Sequence, residues 1–369
     1  MHEILALNRQ SLAEYTGSDD YKNENNIAIT PHRAASQLCN PLVEDADILL
    51  ILIREQGQLV AYLGMMPGMA NYDDGRSERI TWLTCLWVAE VGRGQRLSEK
   101  LLTEASKLCE NKMLLGDYVP FTRKIYDHTG LFMDEIYSKR GLRWYILSDL
   151  ATILPPKHSF FIKTRNAIEV ADALLNVLLT LRQKVLKKHS ISYEEIIFFG
   201  PEEVKFINSN HRNDVFRRTA EEINWMLANP WVVNATSHND KHKSKYYFSS
   251  SDLDFRYLTF VVRDKNSKIK AIAIFSKRNT SLKLPYFYYD DDITDILRLI
   301  ESTILKFGIK TFTTYDTVLA QSLIASKSSV PIYSKRIQRN YRLANYYKDK
   351  VNLDDISLMQ DGEGDCGFT

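Results

Sequence analysis

The apolar positions of this chain recur with two periods, and those periods predict its elements. Residues 80–88, ITWLTCLWV, are rich in β-branched and aromatic side chains and read as a buried strand. The polar turn Gly92-Arg-Gly-Gln-Arg96 follows. Then Leu97, Leu101, Leu102, Ala105, Leu108 and Cys109 lay one apolar stripe along a helix. Upstream, residues 48–53 and 59–65 flank a glycine-bearing turn and predict a β-hairpin. Thr30-Pro31 suits the start of a helix that ends near Asn40-Pro41. Residues 19–26 and 66–78 read as loops, 112–116 as a short strand, and 136–147 as one or two strands.

The second half repeats the order. Residues 164–189 are strongly helical and end in Arg182, Lys184, Lys187 and Lys188, cations that suit a helix C-terminus. A helix over 216–227 stops at Asn229-Pro230. Residues 255–263 and 269–275 form another hairpin; a strand over 284–289, a helix over 293–307, a strand over 309–314 and a helix over 318–325 follow. The order β-β-β-α-β-α therefore occurs twice. It predicts an α/β protein of the α+β mixed-sheet kind, built as two similar domains in tandem. The expected division is 1–153, a linker at Leu154-Pro-Pro-Lys157, 158–345, and an acidic C-terminal tail over 346–369.

A strand, a glycine-containing turn and a helix N-terminus together make an anion site. The first helix N–H groups have no intrahelical partner, and the helix dipole adds partial positive charge. Arg93 and Arg96 add two cations whose planar forks suit phosphate. An ordinary strand–turn–helix connection with two solvated arginines has the same pattern. The second copy differs here. Asp290, Asp291 and Asp292 stand at the corresponding mouth and would repel an anion.

Residues 88–102, VAEVGRGQRLSEKLL, resemble the acyl-CoA site of the GNAT acyltransferase superfamily. Val88, Arg93, Gly94, Leu101 and Leu102 are in step with it. Glu90, Arg96 and Ser98 depart, Glu90 from a proline, Arg96 from a glycine and Ser98 from a glycine or alanine. The Arg96 side chain either crowds a bound pyrophosphate or binds it. The resemblance implies that Arg93, Gly94, Gln95, Arg96, Leu97 and Ser98 hold the pyrophosphate of acetyl-CoA or another acyl-CoA. It also implies that the main chain of Leu86 and Val88 meets pantetheine or the thioester carbonyl. Residues 125–131, IYDHTGL, resemble a second superfamily motif, which makes Tyr126 the general acid for the leaving thiolate. A packing tyrosine is the alternative.

The same resemblance implies two GNAT-like domains in tandem and a transferase, an acyl-CoA-dependent N-acyltransferase of the acetyltransferase kind, with the second copy non-catalytic. Asp73 and Asp74, with His32 and Arg33, are candidates for binding the acceptor; a solvated loop and a surface histidine are the alternatives. The end of the chain, DGEGDCGFT, is similar to the ends of some bacterial GNAT-like proteins encoded with polysaccharide-synthesis genes. It points to a small-molecule amine or amino-sugar acceptor. Two other classes stay open: a non-catalytic GNAT-like binding module, and a FemX-like transferase that uses aminoacyl-tRNA.

Composition narrows these classes. A length of 369 residues suits two domains, and 44% apolar with 25% charged residues is ordinary for a globular protein. A net charge of +2 gives no basic field, so no nucleic-acid partner is expected. Cys39, Cys85, Cys109 and Cys366 lack metal or disulfide spacing and suit a cytoplasmic protein. No metal is expected: His238 and His242 lack further ligands, and the acidic tail lacks the spacing of a calcium loop. The N-terminus has no signal-peptide pattern, no apolar run predicts a membrane partner, and nothing in the sequence indicates the oligomeric state.

Overall fold

The computed structural model describes residues 2–116, 122–186, 191–211, 214–235, 244–354 and 358–368. In chain order the first elements are β1 (His2–Leu7), α1 (Arg9–Gly17), α2 (Asp19–Asn23), α3 (Pro31–Leu38), β2 (Leu50–Glu55), β3 (Gln58–Asn71), β4 (Ser77–Val88), α4 (Leu97–Leu108), β5 (Met113–Gly116) and α5 (Arg123–Thr129). Then come β6 (Tyr137–Tyr145), α6 (Leu150–Ile153), α7 (Phe160–Lys163), α8 (Arg165–Leu186), β7 (Glu194–Ile196), α9 (Pro201–Ser209), α10 (Ala220–Ala228), β8 (Val233–Asn234) and β9 (Ser251–Asp252). The last are β10 (Phe255–Arg263), β11 (Ile269–Arg278), β12 (Ser281–Tyr289), α11 (Thr294–Phe307), β13 (Thr311–Thr314), α12 (Thr317–Ala325) and β14 (Tyr333–Leu343). Among the described residues no helix is long and apolar enough to cross a membrane.

Two compact units result. Unit 1 takes residues 1–139, 198–256 and 339–369; unit 2 takes 140–197 and 257–338. These are not the contiguous spans 1–153 and 158–345. The chain changes unit inside β6 and inside β14, strands that no composition shift divides. In unit 1 the strand order is β1-β2-β3-β4-β5-β14, antiparallel except for the β4–β5 pair. In unit 2 it is β6-β13-β12-β11-β10-β7, where β12–β13 is the parallel pair. The order β-β-β-α-β-α is thus present in both, as β2-β3-β4-α4-β5-α5 and as β10-β11-β12-α11-β13-α12.

Each unit has its own core. Leu12, Tyr21, Ile29, Leu50, Leu52 and Tyr62 pack together in unit 1, and Trp144, Phe260, Phe275, Phe287, Ile300 and Phe312 in unit 2. Helix ends follow the sequence rules. Asn8 and Ser11 close a capping box at α1, as Thr219 and Glu222 do at α10.

Three expectations change. Residues 66–78 are not a loop: β3 runs on to Asn71 and β4 begins at Ser77, leaving a short exposed turn. Residues 19–23 form α2, because Ser18 accepts the Tyr21 N–H and caps the segment. Residues 358–368 are not a solvated acidic tail, because basic partners in unit 1 draw them inward. Buried Arg339 pairs with Asp361 at 2.6 Å. Arg218 donates to the carbonyls of Gly362 (2.8 Å) and Gly364 (2.5 Å). Phe368 stacks on Trp231 with ring centroids 4.2 Å apart.

Candidate active site

The site begins with an irregularity in β4. Tyr62 on β3 faces Trp87, and Gly64 faces Thr84, so Cys85 and Leu86 together oppose Leu63. The extra residue is a bulge, and Cys85 adopts a left-handed φ of +53° there. Gly64 is required opposite it: a Cβ would lie 2.4 Å from Thr84 Oγ1 and 3.1 Å from the Thr84 carbonyl oxygen.

Past the bulge, among the described residues, the strand has an unpaired edge on the β5 side. Parallel pairing of β4 with β5 covers only Thr81 with Met113 and Trp82 with Leu114. On the other side, Ala89 donates its N–H to the Val60 carbonyl at 2.8 Å. Backbone groups alternate sides along a strand, so those of Trp87 and Ala89 face β3, and those of Leu86 and Val88 face the opening towards β5.

The chain then turns tightly into α4. Gly92 donates to Ala89 (3.0 Å), Arg93 to Glu90 (3.1 Å) and Gln95 to Gly92 (3.3 Å). Gly94 at φ +81° and Arg96 at φ +57° are both left-handed, the conformation that makes glycine usual at such positions. No side chain caps the helix. Among the described residues the N–H groups of Gly94, Arg96, Leu97 and Ser98 have no acceptor. Leu97, Leu101, Leu102 and Ala105 are buried and fix this end of the helix against the sheet. The side chains of Arg93 and Arg96 are 70% and 72% exposed. Arg93 pairs with Glu90 at 3.4 Å and Arg96 with Glu99 at 2.7 Å. The Glu99 carboxylate hydrogen-bonded to Arg96 holds that guanidinium's pKa above its ordinary value.

Arg33 reaches the same bulge. It is 4% exposed and donates from Nη1 to Cys85 Sγ at 3.0 Å and to the Tyr246 hydroxyl. Its guanidinium lies 3.8 Å from the Trp231 ring centroid, a cation–π contact. Close packing pushes the Cys85 thiol up against the pull of Arg33, and burial pushes the Tyr246 and Tyr62 hydroxyls well above their usual range. Cys85, Tyr246 and Trp231 gave no local signal in the sequence. Tyr246 lies 213 positions from Arg33, and only the fold joins them.

The other candidates are placed as follows. His32 sits beside Arg33 but directs Nε2 to the Trp231 carbonyl at 2.9 Å. Tyr126 is on α5, 6% exposed, and meets Phe132 edge-on with centroids 5.7 Å apart. Buried Arg342 ties the same helix down through Asp127 and the Met133 carbonyl. Asp73 and Asp74 are not brought to this place. They occupy the exposed β3–β4 turn, beyond the opposite end of β4 from Val88, about 36 Å of strand away. Asp74 is engaged by Arg76 at 2.6 Å, whose hydrogen bonds hold its carboxyl below the usual range. His238 and His242 lie outside the described residues.

The second copy has the same parallel pair, with carboxylates at its helix mouth. β12 meets β13 only through residues 281–283 and 311–313. At the mouth of α11, Asp290 is bound by Lys270 (2.8 Å) and Lys268 (2.9 Å), and Asp292 accepts the Thr294 N–H at 3.0 Å. This helix end is supplied with carboxylates of its own. Both carboxyls are held below their ordinary pKa, Asp290 by the two lysines and Asp292 by Thr294.

No protein-family model matches the chain, and no curated protein matches it. Solved structures do. The structure of Saccharomyces cerevisiae N-myristoyltransferase with bound myristoyl-CoA matches at a TM-score of 0.52 and 14% identity, covering 93% of this chain and 82% of that one. A GCN5-related N-acetyltransferase from Anabaena variabilis matches at 0.51 and 10% identity, covering 93% and 72%. A probable N-acyltransferase from Enterococcus faecalis matches at 0.50 and 9% identity, with the same coverage of 93% and 72%. Across likenesses this distant in sequence it is the architecture that is shared: the chain has the fold of the GNAT acyltransferase superfamily.

Proposed function

We propose that this protein is an acyl-CoA-dependent N-acyltransferase whose active copy is unit 1. One observation carries the reading. Among the described residues, the β4 edge at Leu86 and Val88 is unpaired on the β5 side and leads directly into a helix end where the N–H groups of Gly94, Arg96, Leu97 and Ser98 have no acceptor and two arginines stand. The first suits an amide-bearing pantetheine arm and the second a pyrophosphate, in the order CoA presents them.

The chemistry follows from those groups. The acceptor amine attacks the thioester carbonyl, and a main-chain N–H of the free β4 edge stabilises the oxyanion that develops. The carbon–sulfur bond breaks, the thiolate takes a proton from the Tyr126 hydroxyl, and the proton that the amine nitrogen gives up passes to water, from which the tyrosinate is reprotonated. Seating both substrates at one strand edge replaces a bimolecular encounter with an oriented one. Arg33, buried against Cys85, Tyr246 and Trp231, is a positioning residue for the β4 bulge, and His32 stands beside it. Acetyl-CoA is the donor and a small amine or amino sugar the acceptor, in the cytoplasm of a bacterium. Asp73 and Asp74 are placed away from this reaction. The exposed, Glu99-bound Arg96 side chain weighs against a turn blocked to CoA, the chief support for a non-catalytic module. The test is release of free CoA thiol from acetyl-CoA across a panel of amines and amino sugars. Amine-dependent release is expected; none with any amine, at enzyme concentrations that saturate with CoA, contradicts the proposal.

A further inference from the structure

Helix α8 in unit 2 is built inside out. Its polar residues turn towards the unit: Asp172 accepts from Ser148 Oγ (2.5 Å) and from the N–H groups of Leu150 (3.1 Å) and Ala151 (2.9 Å). Asn176 accepts the Ser148 N–H at 2.7 Å and donates to the Ser148 carbonyl at 2.9 Å. Arg182 is drawn to the carbonyls of Ser329 and Val330. Val170, Leu174, Val177, Leu178, Leu181 and Val185 face solvent instead, each between 54% and 67% exposed. A surface helix ordinarily does the reverse.

We infer that this stripe is the interface of a homodimer in which two copies of α8 pack antiparallel. The positions are self-complementary. A twofold axis crossing the helix between Val177 and Leu178 sets Val170 opposite Val185 of a second copy and Leu174 opposite Leu181. An isologous contact needs that symmetry. The six side chains expose on the order of 600 Å², near the ~800 Å² per partner of a stable interface once flanking atoms are added. From Val170 to Leu181 the stripe carries no exposed cationic or aromatic side chain, the groups a membrane surface would select.

Sedimentation equilibrium of the full chain at micromolar concentration tests the inference. The wild type is expected to be a dimer. Leu178→Lys places like charges at the axis and is expected to give a monomer that keeps the wild-type circular-dichroism spectrum. A monomeric wild type overturns the inference, as does a dimer indifferent to Leu178→Lys. A wild-type monomer that co-sediments with phosphatidylglycerol vesicles assigns the stripe to lipid and overturns it as well.

Discussion

Glu363→Gln is expected to abolish a pH dependence of stability that the buried C-terminal segment creates. Glu363 is 3% exposed, and its Oε1 accepts the Arg218 N–H at 3.2 Å. Burial pushes its carboxyl up to about 7, from an ordinary value near 4.5, against the pull of Arg218; buried Glu222 adds to the rise. Between those two pH values the folded chain holds a proton that the unfolded chain has released. Stability therefore falls as pH rises through this window, by up to about 1.4 kcal/mol per pH unit and about 3 kcal/mol in all. Below pH 4.5 both states hold the proton, and above 7 neither does, so the curve is flat outside the window. Glutamine keeps the shape and cannot ionise. Urea unfolding followed by tryptophan fluorescence reads unit 1, which holds Trp82, Trp87, Trp225 and Trp231. The wild-type midpoint should drop between pH 5 and pH 7, with the Glu363→Gln midpoint steadier and higher at pH 8. Parallel curves for the two proteins refute the reasoning.

Arg96→Gly should stabilise the fold by about 0.5–1 kcal/mol in urea unfolding, since a left-handed arginine costs more than its exposed Glu99 pair returns. A destabilised variant contradicts that balance. Tyr126→Phe should slow acyl transfer by ~10²–10⁴ in steady-state kinetics while leaving CoA affinity unchanged; a full rate on a true acceptor removes Tyr126 from the mechanism. CoA should bind with a stoichiometry of one per chain, because Asp290 and Asp292 occupy the second helix mouth. Two sites by equilibrium dialysis would contradict this.

Much of the fold was legible because it rests on local periodicity. Residues 80–88 are rich in the β-branched and aromatic side chains of a strand, and Leu97, Leu101, Leu102 and Ala105 mark a helix face that the structure buries. The turn from β4 into α4 was legible for the same reason, since Gly94 and the start of α4 are neighbours in sequence. What escaped is what long-range pairing decides. Met66 to Asn71 looks irregular alone, with Pro67 and Gly68, yet becomes strand by pairing with Ser77 to Trp82. The acidic end of the chain looks solvated until Arg218 and Arg339 are seen to bind it. Arg33 was legible as a candidate, but its partners Cys85, Tyr246 and Trp231 come from three distant segments. Asp73 and Asp74 seemed to border an acceptor mouth only while residues 66–78 were read as a loop.

The central claim is that the turn from β4 into α4 seats the pyrophosphate of an acyl-CoA. Calorimetric titration of the full chain with acetyl-CoA, beside the Arg93→Ala variant, tests it most directly. The side chain of Arg93 is 70% exposed and its close partner among the described residues is the solvated Glu90, so its loss should leave the fold intact. The account predicts binding to the wild type, weakened by about 1.5–3 kcal/mol in Arg93→Ala, the worth of a hydrogen bond to a charged group. No heat of binding with the wild type, or the same affinity in both proteins, would contradict it.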